Sequence, residues 1–319
     1  MGWSTMLMKA PKPGVLRDAV MLASRAPSLH NSRPWRWVVE GGRLHLWADP
    51  RRMVHATDRT GREMTLSCGA VLDHVRVAMA AAGWDSATER LPDPAEPDHL
   101  ASLRFRPLAA VTQADQERAA AIRRRRTDRL PFAAPRAWPA LENALRRSVL
   151  PLEVMLDVVE DDARPTLGAA SRLGEALRRY DTTYLSELRW WTAPFESDAT
   201  HVPASALLCG SRGERRAAVD RDHSTILLLS THHDDARLDV LRCGEALSAV
   251  LLDCTVAGMA TCTLTHMTEM AVSRNTIAQI TGTADRPQLL IRVGKSPADG
   301  HHVEPTGRRL LTEVIQFRA

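Results

Sequence analysis

The 319-residue chain lacks several of the short motifs from which chemistry is most often read. It has no CxxC pair, no HExxH, no GxSxG, no GxxxxGK[ST] and no GxGxxG. These absences remove zinc-ribbon, thioredoxin, zincin, serine-hydrolase, P-loop and Rossmann readings. No stretch reaches the roughly 18 uninterrupted apolar residues of a membrane helix. The opening MGWSTMLMKAPKPG has no apolar core followed by a small-residue cleavage site, so neither secretion nor a membrane association is expected. The five cysteines (Cys68, Cys209, Cys243, Cys254 and Cys262) are odd in number and scattered. That pattern suits reduced, buried thiols in a cytoplasmic protein better than a disulfide framework. Aromatic residues make up only 4% and net charge is +4. Arginines alternate with Asp and Glu along helices with little aromatic interleaving, so nucleic acid is not an expected partner.

What remains is an ordinary globular composition, 44% hydrophobic and 25% charged, in a chain long enough for two units of about 150 residues. Self-comparison at an offset of 175 aligns LSCGAVLDHVRVAMAAAG (66–83) with LRCGEALSAVLLDCTVAG (241–258). Both Cys-Gly pairs coincide (Cys68-Gly69 and Cys243-Gly244), as do Leu66/Leu241, Leu72/Leu247 and the terminal Gly83/Gly258. Each segment is apolar on more than one face and ends in glycine, as expected for a largely buried helix. Two such helices are expected to pack together at the centre of a duplicated protein.

Around them the pattern predicts a mixed α+β fold. A helix is expected over 13–25, a hairpin over 35–39 and 43–48, and a strand over 100–107. Further helices are expected at 114–125, 138–149 and 164–178, with strands at 152–159, 224–230 and 288–294. The two halves divide near residue 110, into 1–110 and 111–319. The second carries an insertion at about 178–215, whose segment 178–203 holds both tyrosines and Trp190-Trp191. Long aromatic insertions are often lids or binding loops.

Three segments have chemistry. Ala26-Pro27-Ser28-Leu29-His30-Asn31-Ser32-Arg33-Pro34-Trp35 links a helix to a strand through an irregular, donor-rich loop able to line a planar ligand. Ile122-Arg123-Arg124-Arg125-Arg126-Thr127-Asp128-Arg129 supplies guanidiniums and a hydroxyl suited to a phosphate monoester. Gly307-Arg308-Arg309 could close on the same anion. His232-His233-Asp234-Asp235 and His301-His302 read as solvated surface, and no metal is expected.

Together these segments resemble the nitroreductase superfamily, in particular its Acg-type branch of FMN-binding proteins associated with dormancy responses. Ordinary members are homodimers with FMN at the interface, and the Acg type is similar to that dimer fused in one chain. The resemblance therefore implies a nitroreductase-like α+β fold of two related halves in tandem, acting as a monomer. The family's R-x-S-x-R/K phosphate motif looks like Arg125-Arg126-Thr127-Asp128-Arg129, with Thr127 for serine. Its P-S-x-x-N-x-Q-P-W flavin loop looks like Pro27-Ser28-Leu29-His30-Asn31-Ser32-Arg33-Pro34-Trp35, with Arg33 for glutamine. The main chain reaching the flavin edge resembles Cys262-Thr263-Leu264-Thr265-His266, and the C-terminal phosphate arginine resembles Arg308. A lysine common two positions earlier is Thr306 here.

By this resemblance FMN is held by Pro27, Ser28, Leu29, Asn31, Arg125, Arg126, Thr127, Arg129, Leu264, Thr265 and Arg308. Each signature occurs once, which implies one site per chain. The flavin carries hydride taken from NADH or NADPH, a cation such as Arg129 favours two-electron reduction, and no protein acid, base or nucleophile is required. The acceptor would be a small electrophile such as a nitroaromatic or a quinone. The alternative implied by a long insertion is a protein that sequesters or stores FMN beneath a lid.

Overall fold

The computed structural model describes residues 10–169, 171, 222–232, 235–296 and 307–318. The insertion expected at 178–215, most of the helix expected at 164–178 and the His301-His302 pair lie outside these residues. The first half runs α1 (Pro13–Ala23), β1 (Trp35–Glu40), β2 (Arg43–Ala48), α2 (Arg62–Ala81), β3 (Trp84–Arg90) and β4 (His99–Pro107). The second begins with α3 (Gln113–Arg124), α4 (Trp138–Val149), β5 (Met155–Val159) and β6 (Thr225–Thr231). It continues through α5 (Arg237–Val256), β7 (Ala260–Leu264), α6 (Ala271–Thr281) and β8 (Arg286–Gly294) to α7 (Leu311–Val314) and β9 (Ile315–Phe317).

The two sheets repeat one plan. The first has the order β3-β4-β2-β1-β9 and the second β7-β8-β6-β5. In each, two strands precede a 20-residue central helix, two follow it, and the second strand of each pair occupies the middle of the sheet. Among the described strands all pairings are antiparallel except that of β1 with β9, where Trp37, Val38 and Val39 align with Ile315, Gln316 and Phe317. The tail thus returns to the first sheet, which a boundary at 110 does not anticipate. Three residues of strand are too short to carry a readable alternation, and an edge strand accepts them through its open hydrogen-bonding groups.

The central helices meet glycine to glycine. A Cβ built on Gly69 of α2 would lie 2.1 Å from the Leu241 carbonyl oxygen and 2.8 Å from the Gly244 Cα. Reciprocally, a Cβ on Gly244 of α5 would lie 2.1 Å from the Leu66 carbonyl oxygen. Residues 175 apart in sequence therefore face each other across a local pseudo-twofold, the self-complementary contact of a symmetric dimer. The close approach also exchanges side chains: Leu66 of α2 packs in the core of the second half, and Leu241 of α5 packs in that of the first.

Several polar groups buried at this interface are paired across it. Asp73 and Ser248, again 175 apart, hydrogen-bond, and His74 Nδ1 lies 2.8 Å from the Ser248 hydroxyl. Fully buried Glu245 accepts from Arg76 at 3.1 Å and from Arg90 at 2.6 and 2.9 Å. Arg62 crosses the other way, donating to the Gln288 carbonyl at 2.9 Å, the Gln288 side chain at 2.8 Å and the Thr268 carbonyl at 2.9 Å. Burial, reinforced by the charge of Arg125, pushes the His74 imidazole down to about 3, so it is neutral in the folded protein.

Either Gly69→Ala or Gly244→Ala should therefore cost about 3 kcal/mol or more, because the obstacle is backbone rather than a side chain that can turn aside. Urea denaturation checks this, and a variant that unfolds like the wild type would contradict the crossing. His74 contributes stability that is present above its ordinary pKa and lost as pH falls toward 3, because the unfolded chain takes up the proton first. The advantage of the wild type over His74→Gln should shrink by on the order of 1.4 kcal/mol per pH unit below about 6.5. A pH-independent difference in unfolding free energy would refute it.

Candidate functional site

The loop after α1 is held in an uncommon shape. Pro27 and Pro34 suppress regular structure, and His30, Asn31 and Arg33 all take positive φ, at 44°, 58° and 49°. Non-glycine residues in that region each cost free energy and persist only where the surroundings impose them, which is typical of ligand clamps. The imposing contacts are visible. Ser28 Oγ accepts from the Arg33 amide at 3.0 Å, and the Leu29 amide donates to Ser67 Oγ on α2 at 3.3 Å. Arg33 folds back to donate to Asn31 Oδ1 at 3.0 and 2.8 Å and also bonds the Gly307 carbonyl. Arg52 donates to the Ser32 carbonyl at 2.6 Å, and Arg309 donates to the Arg33 and Trp35 carbonyls at 3.1 and 2.9 Å. The C-terminal segment 307–309 therefore straps the loop, with Arg33 as its buckle.

The arginine motif approaches from the other half. Arg125 follows the end of α3 and donates to the Arg25 carbonyl at 3.2 Å, which ties the motif to the base of the loop. Its Nε is buried without a partner. Thr127 bridges to Thr261 of β7, and the Asp128 amide donates to the Thr261 carbonyl at 3.0 Å. Arg126, Thr127 and Arg129 are exposed. β7 ends at Leu264 and leads directly into Thr265. The Leu264 side chain is buried in the core beside Phe132 and Cys262, so only its main chain can serve a ligand. The Thr265 carbonyl accepts from the amide and the hydroxyl of Thr268, both at 2.8 Å.

The result is a concentration of positive charge between the halves. Burial, then the nearby Arg308, lowers Arg125 to about 10. Burial followed by Arg308, Arg52 and Arg309 lowers Arg33 to about 10. Arg52 is lowered by burial and Arg309, and Arg308 by burial and Arg25. Asp49 and Glu313 oppose this, the former 3.9 Å and the latter 3.8 Å from Arg309. Guanidiniums that depress one another favour a bound anion, and the orphaned buried N–H of Arg125 offers it a charge-assisted bond. The donor set suits a phosphate monoester. The structure thus brings Arg125, Arg308 and the 27–31 loop together, and joins 127–129 to the strand that enters 264–265. Sequence reasoning missed Arg25 and Arg52, whose only signal was position beside a proline-containing turn.

Segment 127–133 is pinned from beneath. Arg292 of β8, fully buried, donates to the Leu130 carbonyl at 3.1 Å and to Asp222 at 2.6 and 3.1 Å, with its guanidinium 4.6 Å from the Phe132 ring centre. Asp222 also accepts from the Phe132 amide at 2.9 Å and the Ser224 hydroxyl at 2.6 Å. Burial alone would raise the Asp222 carboxyl, but these partners hold it below its ordinary range. Arg292→Met should cost about 3–5 kcal/mol by stranding a buried carboxylate. The Arg292→Met/Asp222→Leu double variant should lose less, and additive losses in urea denaturation would argue against a shared ion pair.

No protein-family profile matches the chain. It is 48% identical over 320 residues to "Putative NAD(P)H nitroreductase acg" of Mycobacterium tuberculosis, spanning 96% of each chain. A second similarly named protein of that organism is 36% identical over 331 residues, covering 96% of this chain and 92% of the relative. In structure, a "putative nitroreductase" from Anabaena variabilis superposes with a TM-score of 0.57 over 91% of this chain and 90% of its own, at 8% identity, and so shares the fold. Identity at this level along nearly the whole length, on a nitroreductase fold of paired halves, places the chain in the Acg-type branch of the nitroreductase family.

Proposed function

We propose that this protein is an FMN-dependent oxidoreductase with one FMN per chain, held where the two halves meet. The proposal has it take reducing equivalents from NADH or NADPH and pass them to a small electrophile such as a nitroaromatic or a quinone. One observation carries the reading: Arg125, with a buried and unpartnered Nε, stands in a guanidinium cluster assembled from both halves beside a strained loop. In the proposed site Arg125 and Arg308 bind the phosphate, with Arg126 and the Thr127 hydroxyl at its rim. The Pro27, Ser28, Leu29 and Asn31 loop backs the ring, and Leu264 and Thr265 offer main-chain groups to its edge. Arg129, which lies close enough to Cys262 to perturb its thiol, would supply positive charge to offset the negative charge of a reduced flavin. When bound, FMN itself carries the hydride, and the chain's residues need only orient it and hold charge.

The repeated sheet order and the Gly69/Gly244 crossing support descent from a fused homodimer. Such a chain completes its site as a monomer. Among the described residues no helix is long and apolar enough to cross a membrane, and Cys68, Cys243, Cys254 and Cys262 are free and buried. Both features support the assignment to the cytoplasm. The cluster is small and lined by both halves, which favours a small phosphate ligand over nucleic acid.

Arg125→Ala and Thr127→Val should each weaken FMN binding by on the order of 1–3 kcal/mol, the worth of one charge-assisted phosphate contact or one hydrogen bond in a partly desolvated site. Fluorescence titration of the apoprotein with FMN measures this, and unchanged affinity in both variants would overturn the site. Anaerobic addition of NADH or NADPH to the holoprotein should bleach the flavin absorption promptly. Bands that persist with nicotinamide yet bleach with dithionite would identify a flavin-storing protein instead.

A further inference from the structure

Arg33 does more than hold the loop after α1 in shape, because it decides which end of the Asn31 amide is left for a ligand. Asn31 takes a left-handed backbone, at φ 58°, which Asn and Asp tolerate better than most residues that carry a side chain. Its backbone N–H is taken by the Ser28 carbonyl at 3.0 Å. Its Oδ1 accepts twice from the Arg33 guanidinium, from Nε at 3.0 Å and from Nη2 at 2.8 Å. A guanidinium carries donors and no acceptor, so only the oxygen end of the amide can face it. The planar amide then turns Nδ2 away from Arg33, where no described residue accepts a hydrogen bond from it. Asn31 is half-buried, so these two N–H donors stay within reach of a ligand.

Arg33 cannot easily release this grip. It is only 6% exposed, and it is held along its whole length. Its amide donates to Ser28 Oγ at 3.0 Å, its carbonyl accepts from Arg309 at 3.1 Å, and its guanidinium also bonds the Gly307 carbonyl. An Asn31 amide turned the other way would set its own donors against two guanidinium N–H groups and strand both, which costs more than losing an ordinary hydrogen bond. The orientation of Asn31 is therefore imposed by its neighbour before any ligand arrives.

We infer that Arg33 is a positioning residue that makes Asn31 a pure donor toward the flavin, with Nδ2 donating to a carbonyl or ring nitrogen on the polar edge of the isoalloxazine. The inference rests on the flavin assignment proposed above. That edge offers acceptors at N1, N5 and its two carbonyls and a single donor at N3, and a side chain locked as a donor selects the acceptors. Those atoms gain electron density when the ring is reduced, so a donor preset against one of them favours the reduced form and raises the midpoint potential. Glutamine in place of Arg33 would not impose this choice, because its amide carries both a donor and an acceptor and can satisfy either end of Asn31.

Asn31→Gly and Asn31→Asp separate this role from the shape of the loop, since both replacements keep the left-handed backbone. In Asn31→Asp one carboxylate oxygen still accepts from Arg33 while the other sets an acceptor where the donor stood. Fluorescence titration of the apoprotein should show FMN bound about fivefold to tenfold more weakly by Asn31→Gly, the worth of one hydrogen bond, and more weakly still by Asn31→Asp. Inorganic phosphate, a competitor without the ring, should bind the wild type and Asn31→Gly alike. The midpoint potential of the bound flavin, read by dye equilibration, should fall in both variants. It should also fall in Arg33→Leu and Arg33→Gln, and Arg33→Lys, again a donor only, should recover most of that shift. Unchanged affinity and potential in Asn31→Gly, tighter FMN binding by Asn31→Asp, or a potential indifferent to Arg33→Leu would overturn the inference. Any of these beside an Arg125→Ala variant that still binds FMN weakly would leave the flavin site standing, whereas wild-type apoprotein that takes up no FMN would overturn both.

Discussion

The backbone contact between Gly69 and Gly244 sets the distance at which everything else is arranged. A side chain at either position would push α2 and α5 apart by the width of a methyl group. The consequences would not stay local. Leu66 and Leu241 each complete the core of the opposite half, and Glu245, Arg62, Asp73 and Ser248 all find partners across the interface. Buried polar groups so paired are strongly destabilising when half of a pair is lost, which makes the crossing cooperative with the charge network around it.

The same approach determines where positive charge can collect. Arg125 belongs to the segment leaving α3, while Arg25 and Arg33 belong to the loop leaving α1, and Arg308 and Arg309 arrive with the returning tail. None of these segments forms an anion site alone. Their mutual depression of pKa is a stored electrostatic cost, which a phosphate bound at the proposed site would offset. The strained φ angles at His30, Asn31 and Arg33 belong to the same account: the strap formed by Arg33, Gly307 and Arg309 holds a loop conformation that the loop sequence alone would not keep.

Much of this was legible in the sequence, and the remainder failed for identifiable reasons. The offset-175 repeat marked both central helices and the glycines at which they touch, because buried helices carry long apolar patterns and close approach demands glycine. Their observed spans begin four residues earlier than the repeat, since Arg62, Glu63, Arg237 and Asp239 are polar and show no apolar periodicity. β3 was missed because Trp-Asp-Ser-Ala-Thr-Glu-Arg has little alternation, and β9 because three residues carry no period. In the site, the Pro27–Asn31 and Arg125–Arg129 motifs stood out as local strings. Arg25 and Arg52 did not, since their role depends on segments distant in sequence. Leu264 was expected to line the site, and the fold commits its side chain to the core, so only its main chain remains for that role.

The central claim is that one chain, by itself, completes one flavin site from both of its halves. Native mass spectrometry of the purified protein supplied with excess FMN tests this most directly. The account predicts a monomer carrying one FMN, with FMN occupancy lowered in Arg125→Ala while the chain stays monomeric and folded. Two FMN per chain, or FMN found only in a dimer, would contradict it.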